Sequence, residues 1–384
     1  MTEPPHTSLD SRLRVLIVGG GIAALEAAFA LHGLAGGRVF TRVLARDDMF
    51  MDRPRTIGVP FNRGFPEHFP LAPLVSDAGA ELVRAEVVEV DPQRRVAITV
   101  DGEEHPYDAL IIATGATMAP RFAHATTIDD AQMDELLHGL VMDIEQGYVR
   151  KLAVLVPALT SWPLPAYEVA LMSSERAWDM QAEAEIVVIT PERAPLDMFG
   201  QTASDRVAQL LDERGIEVIT SAVGEVPSSR LVLAHPSGRV VEADRIVALP
   251  ELRGPRIPGL PADGGGFLPV DRVGRVRGVE RVWAAGDVTD FPIKQGGVAA
   301  GLADALARDV AVLAGLSIPV APFTPILRAV LMTGDRPRYL YGDAAAAESR
   351  CSETPLDGLK DKVYARYLTP HLHALRAAGV GASR

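Results

Sequence analysis

The residues with the clearest chemical reading lie in "VGGGIAALEAA", where Gly19-x-Gly21-x-x-Ala24 follows an apolar run. A glycine at the first position allows a tight turn out of a strand. A glycine at the second lets the backbone come close to a pyrophosphate. A small third residue lets helix and strand pack closely, and the free N–H groups of the helix start face the phosphates. Two further small-residue turns end apolar runs: Thr114-Gly115 in "ALIIATGA" and Gly286-Asp287 in "VWAAGDV". Lys294 precedes a glycine pair, Gly296-Gly297, in "FPIKQGGV". One expected partner is missing. In a dinucleotide site the second strand ends in an acid that accepts from the adenosine ribose. Here "TRVLARDD" places Ala45 and Arg46 there, with Asp47 just after. Arg46 suits a phosphate or an adenine face, and Asp47 could supply the ribose oxygen after a small shift of the loop.

These residues need particular elements behind them. Residues 15–18 read as a buried strand, an Ala-rich helix runs to about Leu34, and residues 39–45 form a second strand, the opening of a dinucleotide-binding fold. Residues 50–75 are proline-rich and read as a long irregular segment, followed by short strands with a turn at Asp101-Gly102. From Tyr148 onward, "KLAVLVP", "LPAYEVALMSSERAWDM", "AEIVVITPE", "SDRVAQLLDERGIEVIT" and "ADRIVALPEL" alternate strand and helix, which predicts a second parallel sheet. Next come hairpin-like strands, the strand "RVWAAGD" and a helix over 297–313. The tail carries one late helical stretch, "LKDKVYARYLTPHLHALRAAG". The expected class is α/β, with two Rossmann-like dinucleotide-binding domains and a C-terminal cap. The expected boundaries are 1–122 and 253–315 for the first domain in two parts, 123–252 for the second, and 316–384 for the cap.

Bulk properties exclude other chemistries. The 384 residues carry a formal net charge of −12 without a Lys/Arg block, so a nucleic-acid partner is not expected. The single cysteine, Cys351, precludes an internal disulfide, a redox dithiol and a cluster of cysteine ligands. His32, His105, His124 and His138 are scattered, and His371 and His373 would diverge on a helix, so no metal site is expected. No apolar signal core or membrane-length apolar run is visible, and a cytoplasmic location is expected with at most peripheral membrane contact. A homodimer is compatible with the chain.

In their order, GxGxxA near the N-terminus, ATG near residue 114 and GD near residue 287 resemble the spaced signature of the two-dinucleotide-binding-domain flavoproteins, the pyridine nucleotide-disulfide oxidoreductase-like superfamily with the glutathione-reductase fold. The resemblance covers residues 12–315. It implies FAD, with Asp287 on the ribityl chain, the helix from Gly297 pointing at the isoalloxazine, and Lys294 beside the flavin N1–C2=O edge as the catalytic cation. Arg53 and Pro54 would close over the cofactor, and Val87 falls where relatives read adenine through the backbone. The cofactor-binding set so implied is Gly19, Gly21, Ala24, Arg46, Arg53, Pro54, Val87, Thr114, Gly115, Gly286, Asp287 and Gly297.

The second unit has no glycine between Gly147 and Gly200, and Pro157, Pro163 and Pro165 stiffen the turn where NAD(P)H would dock. That pattern, with "DDMFMDRP" and "FPIKQGG", resembles sulfide:quinone oxidoreductase and the flavoprotein subunit of flavocytochrome c sulfide dehydrogenase. The sulfur-carrying cysteines of that branch are absent. The expected function is therefore an FAD-dependent oxidoreductase passing electrons directly through the flavin between a small-molecule donor and a quinone or other acceptor. The alternatives are an NAD(P)H-dependent flavin reductase resembling type II NADH dehydrogenase, which would have to bind NAD(P)H without a glycine cradle, and a non-catalytic accessory flavoprotein.

Overall fold

The computed structural model describes residues 12–64, 67–129, 132–356, 359 and 361–379. Its first sheet is wholly parallel, with Val282–Ala284, Ala109–Ile112, Leu13–Val18, Val39–Ala45 and Glu81–Arg84 side by side in that order. Numbered along the chain, the strands run 5-4-1-2-3, so the order reverses between Leu13–Val18 and Ala109–Ile112. Ligands of open α/β sheets bind at the carboxyl ends of the strands on either side of such a reversal. Both faces of the sheet are covered, and Val15, Leu16, Ile17 and Val18 are all buried. Each contributes about 1.5–3 kcal/mol of transfer free energy, and such a continuous apolar run is the signature of a parallel strand. The helices Ile22–Ala35 and Gly296–Leu313 pack against each other over this sheet.

The second sheet is also parallel, in the order Thr126–Thr127, Arg245–Ala248, Lys151–Leu155, Glu185–Ile189 and Glu217–Ile219. The helices Leu164–Asp179 and Gln201–Glu213 make its crossovers. The chain passes between the two sheets through a short antiparallel ribbon, Thr117–Ala119 against Glu251–Arg253. The α/β class with two parallel, Rossmann-like sheets agrees with the expectation from sequence.

Three local readings are corrected. The described residues of 50–75 form the strand pair Met49–Met51 and His68–Pro70, a 3-10 turn Arg53–Phe61 and a short helix Leu71–Asp77. Proline density signalled a loop, but Pro54 sits at the start of the turn and Pro70 caps the helix, where a missing N–H costs nothing. The hairpin-like stretch before Val282–Ala284 forms only isolated bridges, Val270 to Val276 and Arg275 to Trp283. In the tail, Leu327–Leu331, Arg338–Asp343 and Glu348–Ser352 form an antiparallel meander, and the helix is confined to Leu368–Ala377. The meander packs on the second unit: the Ala203 N–H donates to Ser349 Oγ at 2.9 Å, and Cys351 belongs to its last strand. No helix among the described residues is long and apolar enough to cross a membrane.

Candidate functional site

A cavity of about 1210 Å³ opens at the strand-order reversal of the first sheet and extends to the second unit and the tail. It exceeds the roughly 300–1,000 Å³ of ordinary ligand pockets, which suits a molecule as long as a dinucleotide.

The glycine turn forms one end. Gly19 has φ +126°, and a Cβ there would lie 2.2 Å from the Ala113 carbonyl oxygen, so this glycine is required by the fold itself. Gly21 differs: its φ is −89° and ψ −170°, and a Cβ there would meet no heavy atom within 4 Å. Gly115, with φ +75°, likewise faces open space. These two positions leave room where a pyrophosphate must approach the backbone, and the residues present fit FAD on that ground. Gly286 has φ +83°, and its Cβ would meet the Cβ atoms of Ala23 and Ala299 at 3.3 and 3.6 Å, so it is the close-contact point of the two helix starts.

Most of the residues singled out from sequence come together on this one cavity. Gly19, Gly21, Arg46, Arg53, Pro54, Val87, Thr114, Gly115, Gly286, Asp287 and Lys294 all line it. Two do not. Ala24 is fully buried below the turn, where it packs helix to sheet. Gly297 lies one residue too far along: Gln295 and Gly296 line the cavity, and the helix begins at Gly296. Gln295 accepts from the Val298 N–H at 2.8 Å as N-cap and donates through Nε2 to the Arg328 carbonyl at 3.2 Å, joining the helix start to the tail. At the second strand's end Arg46 and Asp47 are exposed and face each other at 3.5 Å, both lining the cavity.

Lys294 donates to the Asp287 carbonyl at 3.2 Å and to that of Thr289, with Nζ 3.9 Å from the centroid of Phe267. Burial lowers its pKa to about 8, against the opposing effects of Asp287, Asp290 and Asp263. Burial also raises the Asp287 carboxyl, against the pull of Lys294 and Arg53.

Sequence reasoning missed the opposite wall. Glu168, on the helix Leu164–Asp179, is 1% exposed, accepts from the Met332 N–H at 2.9 Å and is paired with Lys362. Both line the cavity, with Trp162 and Leu164 of the proline-rich turn beside them. Burial raises the Glu168 carboxyl, and Lys362 opposes the shift. The signal in "PAYE" was weak, since a lone Glu inside a helical pattern reads as surface. Its partner lies 194 positions away.

The second unit keeps an acid beyond the end of its own second strand, Glu192, and the fold engages one of its two oxygens. The Tyr167 hydroxyl donates to Glu192 Oε2 at 2.6 Å and Thr190 Oγ1 donates to the same oxygen at 2.8 Å. Glu192 does not line the cavity. Cys351 does not line it either, and burial raises its thiol. Neither tail histidine is held for a metal: His371 lies 3.1 Å from Asp77, and His373 pairs with Asp361.

The family model "Pyridine nucleotide-disulphide oxidoreductase" matches residues 13–146 and 166–304, which takes in the first sheet and all of the second except its strand Lys151–Leu155. The chain belongs to this family. Members of the pyridine nucleotide-disulphide oxidoreductase family are FAD-dependent oxidoreductases. It is 24% identical over 270 residues to the sulfide-quinone reductase of Aquifex aeolicus, covering 63% of this chain and 59% of that protein. It is 29% identical over 301 residues to an NADH dehydrogenase-like protein of Mycobacterium tuberculosis, 72% of each. Against the solved sulfide:quinone oxidoreductase of Aquifex aeolicus the TM-score is 0.79 at 19% identity, over 89% of this chain and 87% of that one, which fixes the fold. The family resemblance expected from sequence therefore holds, and sulfide-quinone reductase is among the similar relatives.

Proposed function

We propose that this oxidoreductase binds FAD in the cavity and passes electrons directly between a small-molecule donor and a quinone or similar acceptor, without a redox cysteine. One observation carries the reading. A single cavity runs from the open turn at Gly21 to a charged wall of Lys294, Glu168 and Lys362, while the only cysteine lies outside it. FAD, when bound, supplies the two-electron chemistry.

The chain supplies everything else. Gly21, Thr114 and Gly115 leave backbone room for the pyrophosphate, and the start of the helix Gly296–Leu313 offers its positive end to developing negative charge. Lys294 reinforces that field from a partly buried position. Glu168 and Lys362 hold a proton between Oε1 and Nζ within the cavity wall, where an acceptor that takes up protons on reduction needs one. Trp162, Leu164, Ala329 and Val330 make the rest of that wall apolar, which suits a ring-shaped acceptor and excludes water.

The likeness to an NADH dehydrogenase-like relative favours a second reading, NAD(P)H as donor. Against it, residues 156–163 lack a glycine cradle, and Glu192 does not line the cavity. Anaerobic addition of NADH or NADPH to the purified flavoprotein decides between them. The band near ~450 nm, a property of the flavin, should persist with both nucleotides, whereas dithionite-reduced protein should be reoxidised by a short-chain quinone. Rapid bleaching by either nucleotide would overturn the direct-donor reading. A protein that takes up no FAD would overturn the whole assignment.

A further inference from the structure

The helix Leu368–Ala377 contributes no residue to the cavity, yet polar contacts along its length tie it to segments that do. At its start, the fully buried Glu26 of the helix Ile22–Ala35 accepts from the N–H groups of Tyr367 and Leu368 at 2.9 and 2.7 Å, capping the tail helix from outside. At its end, Arg376 donates to Glu67 at 2.6 Å, to Asp361 at 2.7 Å and to Asp52 at 3.2 Å. Arg55 donates to the same Asp361 at 3.0 Å, and His373 also pairs with it. His371 stands 3.1 Å from Asp77, against the ring of Phe29.

The tethers border the cavity. Asp52 precedes Arg53 and Pro54, Asp361 precedes Lys362 and Val363, and Glu26 lies one helical turn after Ala23. The geometry is tight at that border: a Cβ on Gly296 would lie 2.9 Å from Val363 Cγ2. The helix has 10 residues, of which only Leu368 and Leu372 are buried apolar side chains, and a helix this short is marginal by itself in water. The polar tethers therefore account for much of its docking.

We propose that the C-terminal helix is a clasp. Glu26 at one end and Arg376 at the other hold it to the first unit, and through it fix the Arg53–Phe61 turn and residues 361–363 around the cofactor, so that undocking of the helix governs how fast the flavin leaves. This rests on the reading that the cavity holds FAD. Arg376 is then a positioning residue: it touches neither cofactor nor substrate.

The charges around the clasp give it a direction with pH. Burial raises Asp52 to about 6, with Arg55 and Arg376 opposing and Glu67 and Asp361 reinforcing the shift. Burial raises Glu26 to about 7 despite its backbone donors, and Asp304 adds to the shift. Asp304 is itself raised by burial to about 6, with Arg366 and Arg308 opposing. A carboxyl raised in the docked state favours docking while protonated, and that contribution fades as pH climbs through the docked pKa. His371 and His373 also face the clasp, beside Asp77 and Asp361. Asp361, held low by Arg376 and His373, stays ionised across this range. Docking should loosen from pH 6 to pH 8.

The test compares the FAD-loaded wild type with Arg376→Gln and Arg376→Lys, following flavin release by its fluorescence and the exposure of residues 368–377 by hydrogen exchange. Loss of one partner from so buried a network should speed both release and exchange by at least about tenfold in Arg376→Gln, with partial recovery in Arg376→Lys. In wild type, both rates should rise together from pH 6 to 8. Release at the wild-type rate from an Arg376→Gln protein whose helix exchanges freely would overturn the clasp. If Arg376→Gln does not fold, Asp361→Asn carries the same expectation, and a wild-type release rate that ignores helix exchange across pH overturns it equally. A wild type that never takes up FAD refutes the cavity reading instead, and the clasp with it.

Discussion

Gly21→Val separates a role toward the ligand from a role in the fold. At Gly21 the backbone is extended, with φ −89° and ψ −170°, a conformation open to valine, and no heavy atom lies within 4 Å of the added Cβ. The cost to the fold is therefore that of a poorer helix N-cap, about 1 kcal/mol, which shifts the melting temperature by only a few degrees in a chain of this size. The same methyl groups stand where the pyrophosphate must meet the backbone. Loss of one hydrogen bond from N–H to a charged oxygen, about 1.5–3 kcal/mol, weakens FAD by about tenfold to a little over a hundredfold. Gly19→Ala is the contrasting case. Its Cβ would lie 2.2 Å from the Ala113 oxygen at φ +126°, so the fold must give before any ligand is involved. Thermal melts of the apoproteins and FAD titrations by fluorescence quenching read both quantities. Gly21→Val should melt near the wild type and bind FAD poorly, while Gly19→Ala should lose both. Wild-type FAD affinity in a folded Gly21→Val protein would refute the reasoning, as would a Gly21→Val melt as low as that of Gly19→Ala.

Lys362→Met leaves Glu168 without its cation in a site where Glu168 is 1% exposed, so denaturant melts should show a loss of about 3–5 kcal/mol. Without Lys362 the Glu168 carboxyl rises further, and ionising it costs the folded state more. The deficit should therefore grow as pH rises toward 8, and a pH-independent deficit would contradict the burial account. Lys294 sits at about 8 in the folded chain, below its unfolded value, so between those two the unfolded chain holds more protons. Apoprotein stability should rise with pH above about 8 in wild type and stay flatter in Lys294→Met. In the loaded protein, Lys294→Met should also make the flavin midpoint potential more negative by tens of millivolts, on the order expected for one nearby charge. An unchanged potential would remove Lys294 from the reactive end.

Much of the first unit was legible because its signals are local. An apolar run, a glycine turn and a helix follow one another in one stretch, so Gly19, Gly21, Thr114 and Gly115 could be read in sequence. The GD turn was legible for the same reason, and the helix behind it was misread by only one residue, because Gly296 and Gly297 are equivalent by type. The tail was less legible. Its meander has exposed residues and turns that carry little period-two signal, and its helix is set by Glu26 and Arg376, whose partners are far off in the chain. Residues 50–75 failed for the opposite reason: Pro54 and Pro70 sit at element starts, where a proline is tolerated, and composition does not reveal position.

By itself, the sequence determined the α/β class, the glycine turn at Gly19 to Gly21, the absence of a redox dithiol and the lack of a second glycine motif. All of these depend on neighbouring residues or on simple counts. Only the tertiary structure decided that Lys294, Glu168 and Lys362 share one cavity, that Tyr167 and Thr190 engage one oxygen of the acid of the second unit, and that the C-terminal helix closes on the first. Those outcomes depend on desolvation and on charges brought together from distant segments. A charge in a sequence carries no record of how deeply it will be buried or which opposite charge will meet it.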